Sequence, residues 1–492
     1  MTTPQPLRRR LDILLLRWQA RLDAEWADRV LPGATTAALF IWLAALSLAR
    51  HRGVGTGLEL ASWQQASHLI NEGFKPTSSL IGTEFLAVDV SLVLYPLAAI
   101  TRFLPTGGTL LLLQSAAIAL GVLPLWWLCR SVCHLRAGAS GTVLLAYVFY
   151  PSLHSLNLAD FQAEALALPF LFTAVVAGLT GRWRWFWPLV VVVLACRADL
   201  GLAIGGLGLL FMAEGKPREG IVTAVVGFGW AMVAMFAISP LIGAGGFLQS
   251  SFPDYGDTAP SVLWGMVTDP LSVAADLFPE ENFLLVVLLL APVLFLPLVA
   301  FRYLLPAVPN LALILLADLD SPTRVVESAV PVVVFVFVAV SFGVARIGER
   351  NVERVFVDRR VLSALALASV VFFVSQAPSS PYREPWGWGG RDELAQARIG
   401  AADLLVGRPE LAIRAPGPLL PLLAERPHLL PLGDESPVAA RVSVDARVVI
   451  VDSNLLPTWA VSERQVFATS MQGLGYELIY DEAGVAVWSR AG

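Results

Sequence analysis

The sequence has little charge and few cysteines. Only 15% of its 492 residues are charged and 56% are hydrophobic, whereas soluble globular proteins carry about 25% charged residues. The composition therefore excludes an ordinary soluble protein and indicates one that is embedded in a lipid bilayer. The net charge of −5 comes with no basic stripe of the kind that binds a phosphodiester backbone, so nucleic acid is not an expected partner.

Several chemical motifs are absent as well. The cysteines Cys129, Cys133 and Cys196 lie in or beside apolar stretches, and only His134 adds a nearby ligand to the C-x3-C spacing. We therefore expect buried thiols and no metal site there. The sequence has no Ser–His–Asp order and no nucleophile elbow, and its carboxyl-terminal region has no glycine-rich phosphate loop. Hydrolase and nucleotide-binding functions thus have little support.

Long apolar runs predict an α-helical polytopic membrane protein with about 11 transmembrane helices. The runs lie near residues 34–49, 110–128, 139–153, 163–180, 185–196, 200–213, 221–241, 283–300, 303–317, 328–345 and 361–377. With this count the arginine-rich connections fall on the cytoplasmic side, as the positive-inside rule requires. A true crossing at residues 86–104 would invert that pattern, so we predict that this apolar stretch dips into the interface without crossing.

The chain divides into three predicted regions. Residues 1–33 form a basic amphipathic segment that suits the cytoplasmic membrane surface. Residues 34–377 form the transmembrane domain, in which residues 51–108 are the first outer loop. Residues 378–492 alternate helical and strand patterns, which predicts a small extracytoplasmic α/β domain. The amino terminus is therefore predicted to be cytoplasmic and the carboxyl terminus to lie outside.

The first outer loop carries more polar groups than a membrane chain needs for its structure. Glu59 follows the first span, where it is either a general base that deprotonates an acceptor hydroxyl or a solvated acid. Asp89 lies in an apolar run and must form an ion pair or bind a ligand. Gln64 and Glu84, in the same loop, are secondary candidates.

A second polar stretch lies between the third and fourth spans. It contains His154, Asp160, Gln162 and Glu164. Asp160 and Glu164 are four residues apart, so a helix would place both carboxylates on one face. There they would bind a divalent cation, Mg or Mn, or share acid and base roles. The alternative is that Asp160 caps a helix.

Arg197 and Asp199 lie between two apolar runs at the predicted outer boundary. The planar guanidinium fork of Arg197 suits a donor phosphate, because it grips two oxygen atoms at once. The competing interpretation is an internal salt bridge from Arg197 to Asp199 or to Asp160. Asp199 is thus a supporting site residue in the first interpretation and a structural partner in the second.

Four short motifs resemble a widespread domain-of-unknown-function family of polytopic membrane proteins, grouped with the GT-C glycosyltransferase superfamily. The resemblance covers about residues 50–490. The family's Asp-Leu-Gly corresponds to residues 59–61 and its Gly-Asp-His-Phe-Ser to residues 87–91. Its Asp-Phe-His-Pro-Glu corresponds to residues 160–164 and its Lys-Glu-Asp to residues 197–199. This chain has Glu59 in place of the first acid, a displaced acid at Asp89, both acids of the third motif, and the cation and last acid of the fourth, and it lacks both histidines, so it resembles a divergent member.

The resemblance implies a GT-C-like fold and a membrane glycosyltransferase. Such an enzyme moves a sugar from a polyprenyl-phosphate-linked donor to a cell-envelope glycan or lipid acceptor on the outer face. Glu59 or Asp89 would then be the base, and Arg197 would bind the donor phosphate. Because Arg197 already supplies a cation, dependence on a metal ion stays open, and no cofactor is certain.

Two other functions compete with this one. The missing histidines favour a non-catalytic GT-C-like scaffold that binds lipid-linked glycans. A secondary transporter would need inverted repeats and acids near the midplane of the membrane. The sequence shows no self-similar halves and concentrates its acids at the outer boundary, which makes the transporter the weakest of the three.

Overall fold

A computed structural model of the protein describes residues 25–243, 252–256, 258–317, 330–351, 354–383, 389–433, 436–456 and 458–490. Residues 1–24 of the predicted surface segment lie outside these ranges. From Glu25 onward the chain already belongs to the first long helix, which contains Pro32. The predicted boundary at residue 33 therefore does not coincide with the start of a helix.

The first part of the chain is almost entirely helical. Its elements are α1 (Glu25–Arg52), α2 (Leu58–Asn71), the hairpin β1 (Thr77–Ser78) and β2 (Thr83–Glu84), α3 (Phe85–Asp89), α4 (Leu94–Thr101), α5 (Thr106–Leu120), α6 (Val122–Trp127), α7 (Ala137–Val148), α8 (Pro151–Leu158), α9 (Ala163–Leu179), α10 (Trp183–Cys196), α11 (Leu200–Ala213), α12 (Pro217–Val233) and α13 (Ser239–Ile242). A π-helical turn, Leu128–Val132, extends α6, and another, Ala234–Ile238, joins α12 to α13.

The second part ends in a mixed α/β region. Its elements are α14 (Ala259–Thr268), α15 (Pro270–Leu277), α16 (Glu280–Leu290), α17 (Val308–Leu316), α18 (Val330–Ile347), the hairpin β3 (Glu349–Asn351) and β4 (Arg354–Phe356), α19 (Arg359–Gln376), α20 (Glu393–Val406), β5 (Ile413–Pro416), α21 (Leu420–Leu423), β6 (Leu429–Leu432), α22 (Ala439–Val442), β7 (Val448–Asp452), α23 (Val461–Gly473), β8 (Tyr476–Glu482) and β9 (Val485–Arg490).

Within the described residues, five helical stretches are long and apolar enough to cross a bilayer: Trp26–Arg52, Thr106–Val132, Pro217–Ile242, Val330–Ile347 and Arg359–Arg383. A pair bent by 104°, Glu280–Val293 with Leu296–Tyr303, is a sixth candidate. Five shorter apolar helices complete the bundle: Ala137–Val148, Ala163–Leu179, Trp183–Cys196, Leu200–Ala213 and Leu305–Leu316. Each predicted span overlaps one of these elements, while the number of crossings and their orientation remain predictions.

The apolar stretch at residues 86–104 does not form a transmembrane helix. Helix α3 ends at Asp89, Val90 adopts a left-handed conformation with φ of 49°, and α4 begins only at Leu94. At about 1.5 Å per residue, neither short helix reaches across a hydrocarbon core of about 30 Å. The break supports the prediction that this stretch does not cross.

Helices α11 and α12 pack through glycines, so their backbones lie unusually close together. A Cβ atom added at Gly227 would lie only 2.2 Å from the backbone nitrogen of Gly205. In a bilayer the hydrophobic effect does not drive helices together, so their association depends on close packing. Small residues allow the two backbones to approach closely enough for such contacts. Because α11 begins directly after Asp199, this tight pair fixes the position of residues 197–199.

The carboxyl-terminal module is a five-stranded mixed sheet with the order β6-β5-β7-β9-β8. Strand β5 pairs in parallel with β6 and β7, whereas β9 pairs antiparallel with β7 and β8. All five residues of β7 are buried, as expected for a central strand covered on both faces. The alternation of helices and strands predicted for this region thus agrees with the structure.

The first loop, between α1 and α5, contributes to the core of this module. Ala61 of α2 and Leu80 of the β1–β2 turn lie in one apolar cluster with module residues such as Ile413 and Val448. The predicted division at residue 378 therefore separates two regions that share a hydrophobic core.

Hydrogen bonds strengthen the same junction. Gln65 is fully buried, and its Nε2 donates to the carbonyl oxygen of Arg426 at 2.9 Å. Its Oε1 accepts from Ser78 Oγ at 2.6 Å, and Ser79 Oγ accepts from the backbone nitrogen of Leu429 at 2.9 Å. The module is thereby joined to α2, the helix that carries Glu59.

Candidate functional site

Helix α2 is held at its amino terminus by a residue from a distant part of the chain. Asp160 Oδ2 accepts from the backbone nitrogen of Gly57 at 2.8 Å and from that of Leu60 at 3.4 Å. Its Oδ1 lies 3.6 Å from Nη1 of Arg50 at the end of α1. The capping interpretation of Asp160 therefore holds, but for α2 and not for the helix that follows it.

Glu59 lies in the first turn of α2, where the helix dipole favours its negative charge. Its carboxylate is partly exposed and accepts a hydrogen bond from the side-chain amide of Gln162. Because Gln162 lies two residues after Asp160, one short segment contacts both the cap and the acid of α2. The structure thus brings together residues from two separate predicted loops.

A residue that the sequence analysis missed fixes this segment. Gln114 of α5 is fully buried, and its Oε1 accepts from the backbone nitrogen of Gln162 at 2.7 Å. Its Nε2 donates to the carbonyl oxygens of Leu156 at 2.9 Å and Asp160 at 3.2 Å. The signal was present in the sequence, since one glutamine in an otherwise apolar span must satisfy its amide through a partner.

Glu164 and Asp199 hold Arg197 from two sides. Arg197 Nε and Nη2 donate to the two carboxylate oxygens of Asp199 at 2.6 and 2.7 Å. Its Nη1 lies 2.5 Å from Oε2 of Glu164, which is fully buried. The internal salt bridge from Arg197 to Asp199 is therefore formed. Arg197, which was predicted to bind a donor phosphate, is already bound by two carboxylates.

The predicted pairing of Asp160 with Glu164 on one helix face is wrong. Helix α9 begins at Ala163, so Asp160 precedes the helix and faces α2, whereas Glu164 faces Arg197. Within the described ranges, no group of three or more His, Cys, Asp and Glu side chains is arranged to hold a metal ion. These two carboxylates do not fit a shared divalent cation, and metal dependence stays an untested prediction.

The backbone brings Asp89 close to Arg197, although the side chain of Asp89 lies outside the described residues. Val90 packs in one apolar cluster with Ala198, and the backbone nitrogen of Val93 donates to the carbonyl oxygen of Ala195 at 2.9 Å. The turn after α3 therefore lies against the segment that carries Arg197. We call Glu59, Asp160, Gln162, Glu164, Arg197 and Asp199 the polar cluster.

Three secondary candidates lie elsewhere. His154 is fully buried: its Nε2 donates to the carbonyl oxygen of Val148 at 2.8 Å, so its Nδ1 accepts from Ser379 Oγ at 2.6 Å. Gln64 is buried beside Gly107, and Glu84 ends the β1–β2 hairpin. The hydrogen bonds of His154 go to Val148 and Ser379, so this side chain serves packing.

The fold is similar to that of two crystal structures of ArnT from Cupriavidus metallidurans. The structure bound to undecaprenyl phosphate matches with a TM-score of 0.55 and 11% identity, covering 93% of this chain and 98% of ArnT. The apo structure matches with a TM-score of 0.54 and 11% identity, covering 92% and 98%. At this identity the similarity concerns the fold alone, and it agrees with the GT-C-like architecture expected from the motifs.

No curated protein matches the sequence. A family described as "Predicted membrane protein (DUF2079)" matches residues 51–487, nearly the whole chain. This confirms the family resemblance drawn from the motifs, and with the apolar helices it supports a multi-pass membrane protein. The chain belongs to the DUF2079 family of predicted membrane proteins.

Proposed function

We propose that this protein is a membrane glycosyltransferase of GT-C type. It moves a sugar from a polyprenyl-phosphate-linked donor to a hydroxyl of a cell-envelope glycan or lipid. In this reaction the acceptor oxygen forms a bond to the anomeric carbon of the sugar. The bond between that carbon and the phosphate oxygen breaks, and the polyprenyl phosphate leaves.

The observation that carries this proposal is the convergence on residues 160–164. Gln162 contacts Glu59 on one side of this segment, and Glu164 contacts Arg197 on the other. An acid and a cation are thereby linked through one rigid stretch of chain. The similarity in fold to ArnT, which is bound to undecaprenyl phosphate in one structure, gives independent support for a polyprenyl phosphate ligand.

Glu59 is the proposed general base. Glu59 lies in the first turn of α2 and is partly exposed, so an acceptor hydroxyl can approach it, whereas the carboxylate of Asp160 is occupied by the backbone nitrogens of Gly57 and Leu60. The proton of the acceptor would pass to Glu59 as the new bond forms. Asp89 is the alternative base, because the backbone that carries it lies beside the Arg197 segment.

Arg197 is the proposed phosphate ligand, and it requires an exchange of partners. Its guanidinium is occupied by Asp199 and Glu164, so a donor phosphate must replace at least one carboxylate contact. A phosphate offers the same bidentate geometry as a carboxylate. The leaving phosphate would gain negative charge beside a fixed cation, which lowers the barrier.

The test measures release of the carrier. Purified protein is incubated with undecaprenyl-phosphate-linked sugars and a cell-envelope lipid extract, and free undecaprenyl phosphate is quantified by mass spectrometry. We expect Glu59→Gln to lower the rate by about 100-fold or more, the range of a lost general base. Glu72→Gln is the matched control, because Glu72 is an exposed carboxylate at the other end of α2. Equal rates in the two variants would exclude Glu59 as the base.

A non-catalytic scaffold is the second candidate, and the closed contacts of Arg197 favour it. Two carboxylates already hold the guanidinium of Arg197, so this arginine has a structural role whether or not it binds a phosphate. A scaffold would bind undecaprenyl phosphate with the same affinity in the wild type and in Glu59→Gln, and neither protein would release carrier from any donor. Release of carrier by the wild type but not by Glu59→Gln would exclude the scaffold.

A further inference from the structure

A cleft lies at the end of the bundle opposite the polar cluster. It has a volume of about 450 Å³ and is bordered by the start of α1 and by α6 with its π-helical extension. Asp28 and Arg29 line one side, and Trp126, Trp127 and Arg130 line the other. The cleft shares no residue with the polar cluster.

The length of α1 sets the depth of this cleft in the membrane. Arg50, at one end of α1, contacts Asp160 of the polar cluster, and Asp28 lies near the other end. At about 1.5 Å per residue, these two residues are separated by roughly 33 Å along the helix axis. This is close to the thickness of a hydrocarbon core, about 30 Å. The cleft therefore lies at the level of the headgroups of the opposite leaflet.

The floor of the cleft is preorganised by buried contacts. Arg130 is buried and donates to both carboxylate oxygens of Asp28, at 2.6 and 3.1 Å. The indole nitrogen of Trp126 donates to Asp28 Oδ1 at 3.2 Å. The charge of Asp28 is therefore balanced within the floor and does not oppose a bound anion.

Two exposed arginines lie near this floor. Arg29 belongs to the lining of the cleft, whereas Arg182 lies outside that lining, with its guanidinium 4.8 Å from the ring centre of the lining residue Trp127. Among the described residues, neither arginine has an ion pair with a carboxylate. The cleft and its immediate surroundings thus carry two positive charges, and the lining contains two tryptophans, the aromatic residue typical of membrane interfaces.

We propose that this cleft binds the headgroup of an anionic phospholipid. The two guanidiniums match its phosphate in charge, and basic pockets between transmembrane helices are known to favour such lipids. Leu123, an exposed residue of the cleft lining, offers an apolar surface to the first part of an acyl chain. The proposal does not depend on the proposed function, because it concerns the other end of the bundle.

The test compares lipids on the full-length protein in detergent. Dioleoylphosphatidylglycerol and dioleoylphosphatidylcholine are titrated separately, and bound lipid is counted by native mass spectrometry. We expect the anionic lipid to bind preferentially and the double variant Arg29→Gln/Arg182→Gln to bind it about twentyfold more weakly. Arg184→Gln is the control, because Arg184 is an exposed arginine of α10, two residues after Arg182, that neither lines the cleft nor makes the contact with Trp127 that Arg182 makes.

Three outcomes would overturn the proposal. Equal binding of both lipids would mean that charge does not select the ligand. Unchanged binding in the double variant, checked for wild-type thermal stability, would place the lipid elsewhere. Competition by inorganic phosphate as strong as that by the lipid would identify a free-anion site and not a lipid site.

Discussion

Two arginines at opposite ends of the bundle each grip an aspartate through two hydrogen bonds, but their third contacts differ. Arg130 holds Asp28 and donates its remaining Nη1 to the carbonyl oxygen of Leu135 at 2.8 Å. Arg197 holds Asp199 and directs its Nη1 to Glu164. In these contacts of the described residues, Arg130 meets one carboxylate and a neutral carbonyl, whereas Arg197 meets two carboxylates.

Burial makes this difference matter. The side chain of Asp28 is 35% exposed, so water contributes to its stability, whereas that of Glu164 is completely buried. A buried carboxylate depends on its cation, and an additional one is costly in an apolar bundle. A well-packed bundle does not need a second buried carboxylate such as Glu164. Ionisable groups that are retained within a membrane bundle usually serve function. We therefore interpret Arg130 as architectural and Arg197 as part of the site.

The largest effect should come from removing Arg197. Arg197→Leu leaves Glu164 buried without this cation and should lower the free energy of unfolding by about 3–5 kcal/mol. Thermal unfolding in detergent, followed by tryptophan fluorescence, measures the loss. Arg130→Leu is the matched comparison and should cost about 1–3 kcal/mol, because Asp28 can be hydrated. Equal losses would remove the distinction between the two arginines.

A smaller effect is expected at the cap of α2. Asp160→Ala removes the acceptor for the nitrogens of Gly57 and Leu60 and should cost about 1–2 kcal/mol. Hydrogen exchange at the start of α2 should accelerate, as measured by mass spectrometry of the peptide that contains Gly57. Asp160→Asn keeps an acceptor oxygen and should lose less. Unchanged exchange in Asp160→Ala would show that the cap is not needed to hold Glu59.

The smallest change in stability should follow Glu164→Gln. The amide keeps the size of the side chain and an acceptor oxygen for Arg197, while Asp199 still pairs with the guanidinium, so the free energy of unfolding should change by about 1 kcal/mol. If Arg197 binds the donor phosphate, undecaprenyl phosphate should bind several-fold more tightly, because one competing carboxylate is gone. Weaker binding would indicate that Glu164 holds Arg197 in place for its ligand.

Local pattern predicted the module better than it predicted the polar cluster. Strands β7 and β9 could be recognised because their apolar runs are short and bounded by turns. The spacing of Asp160 and Glu164 was misleading, because α9 starts only at Ala163 and the two acids face different helices. A spacing rule assumes one continuous helix, and the local pattern did not mark where that helix begins.

Contacts between residues far apart in the sequence could not be predicted either. The bond from Gln162 to Glu59 spans 103 positions of the chain. Gln65 joins α2 to Arg426 across 361 positions. No periodicity encodes such pairs, because they depend on which helices become neighbours. For the same reason the choice between the salt bridge and a phosphate ligand for Arg197 stayed open.

The sequence by itself determined that the chain enters a membrane, where its apolar helices lie, and that a strand-rich module follows them. These properties depend on composition and on short-range hydrophobic pattern, which each segment carries alone. Only the tertiary structure decided that Gln162 contacts Glu59 and that Glu164 shares Arg197 with Asp199. Those contacts arise because buried polar side chains must find partners, and packing of the helices selects which partners are within reach.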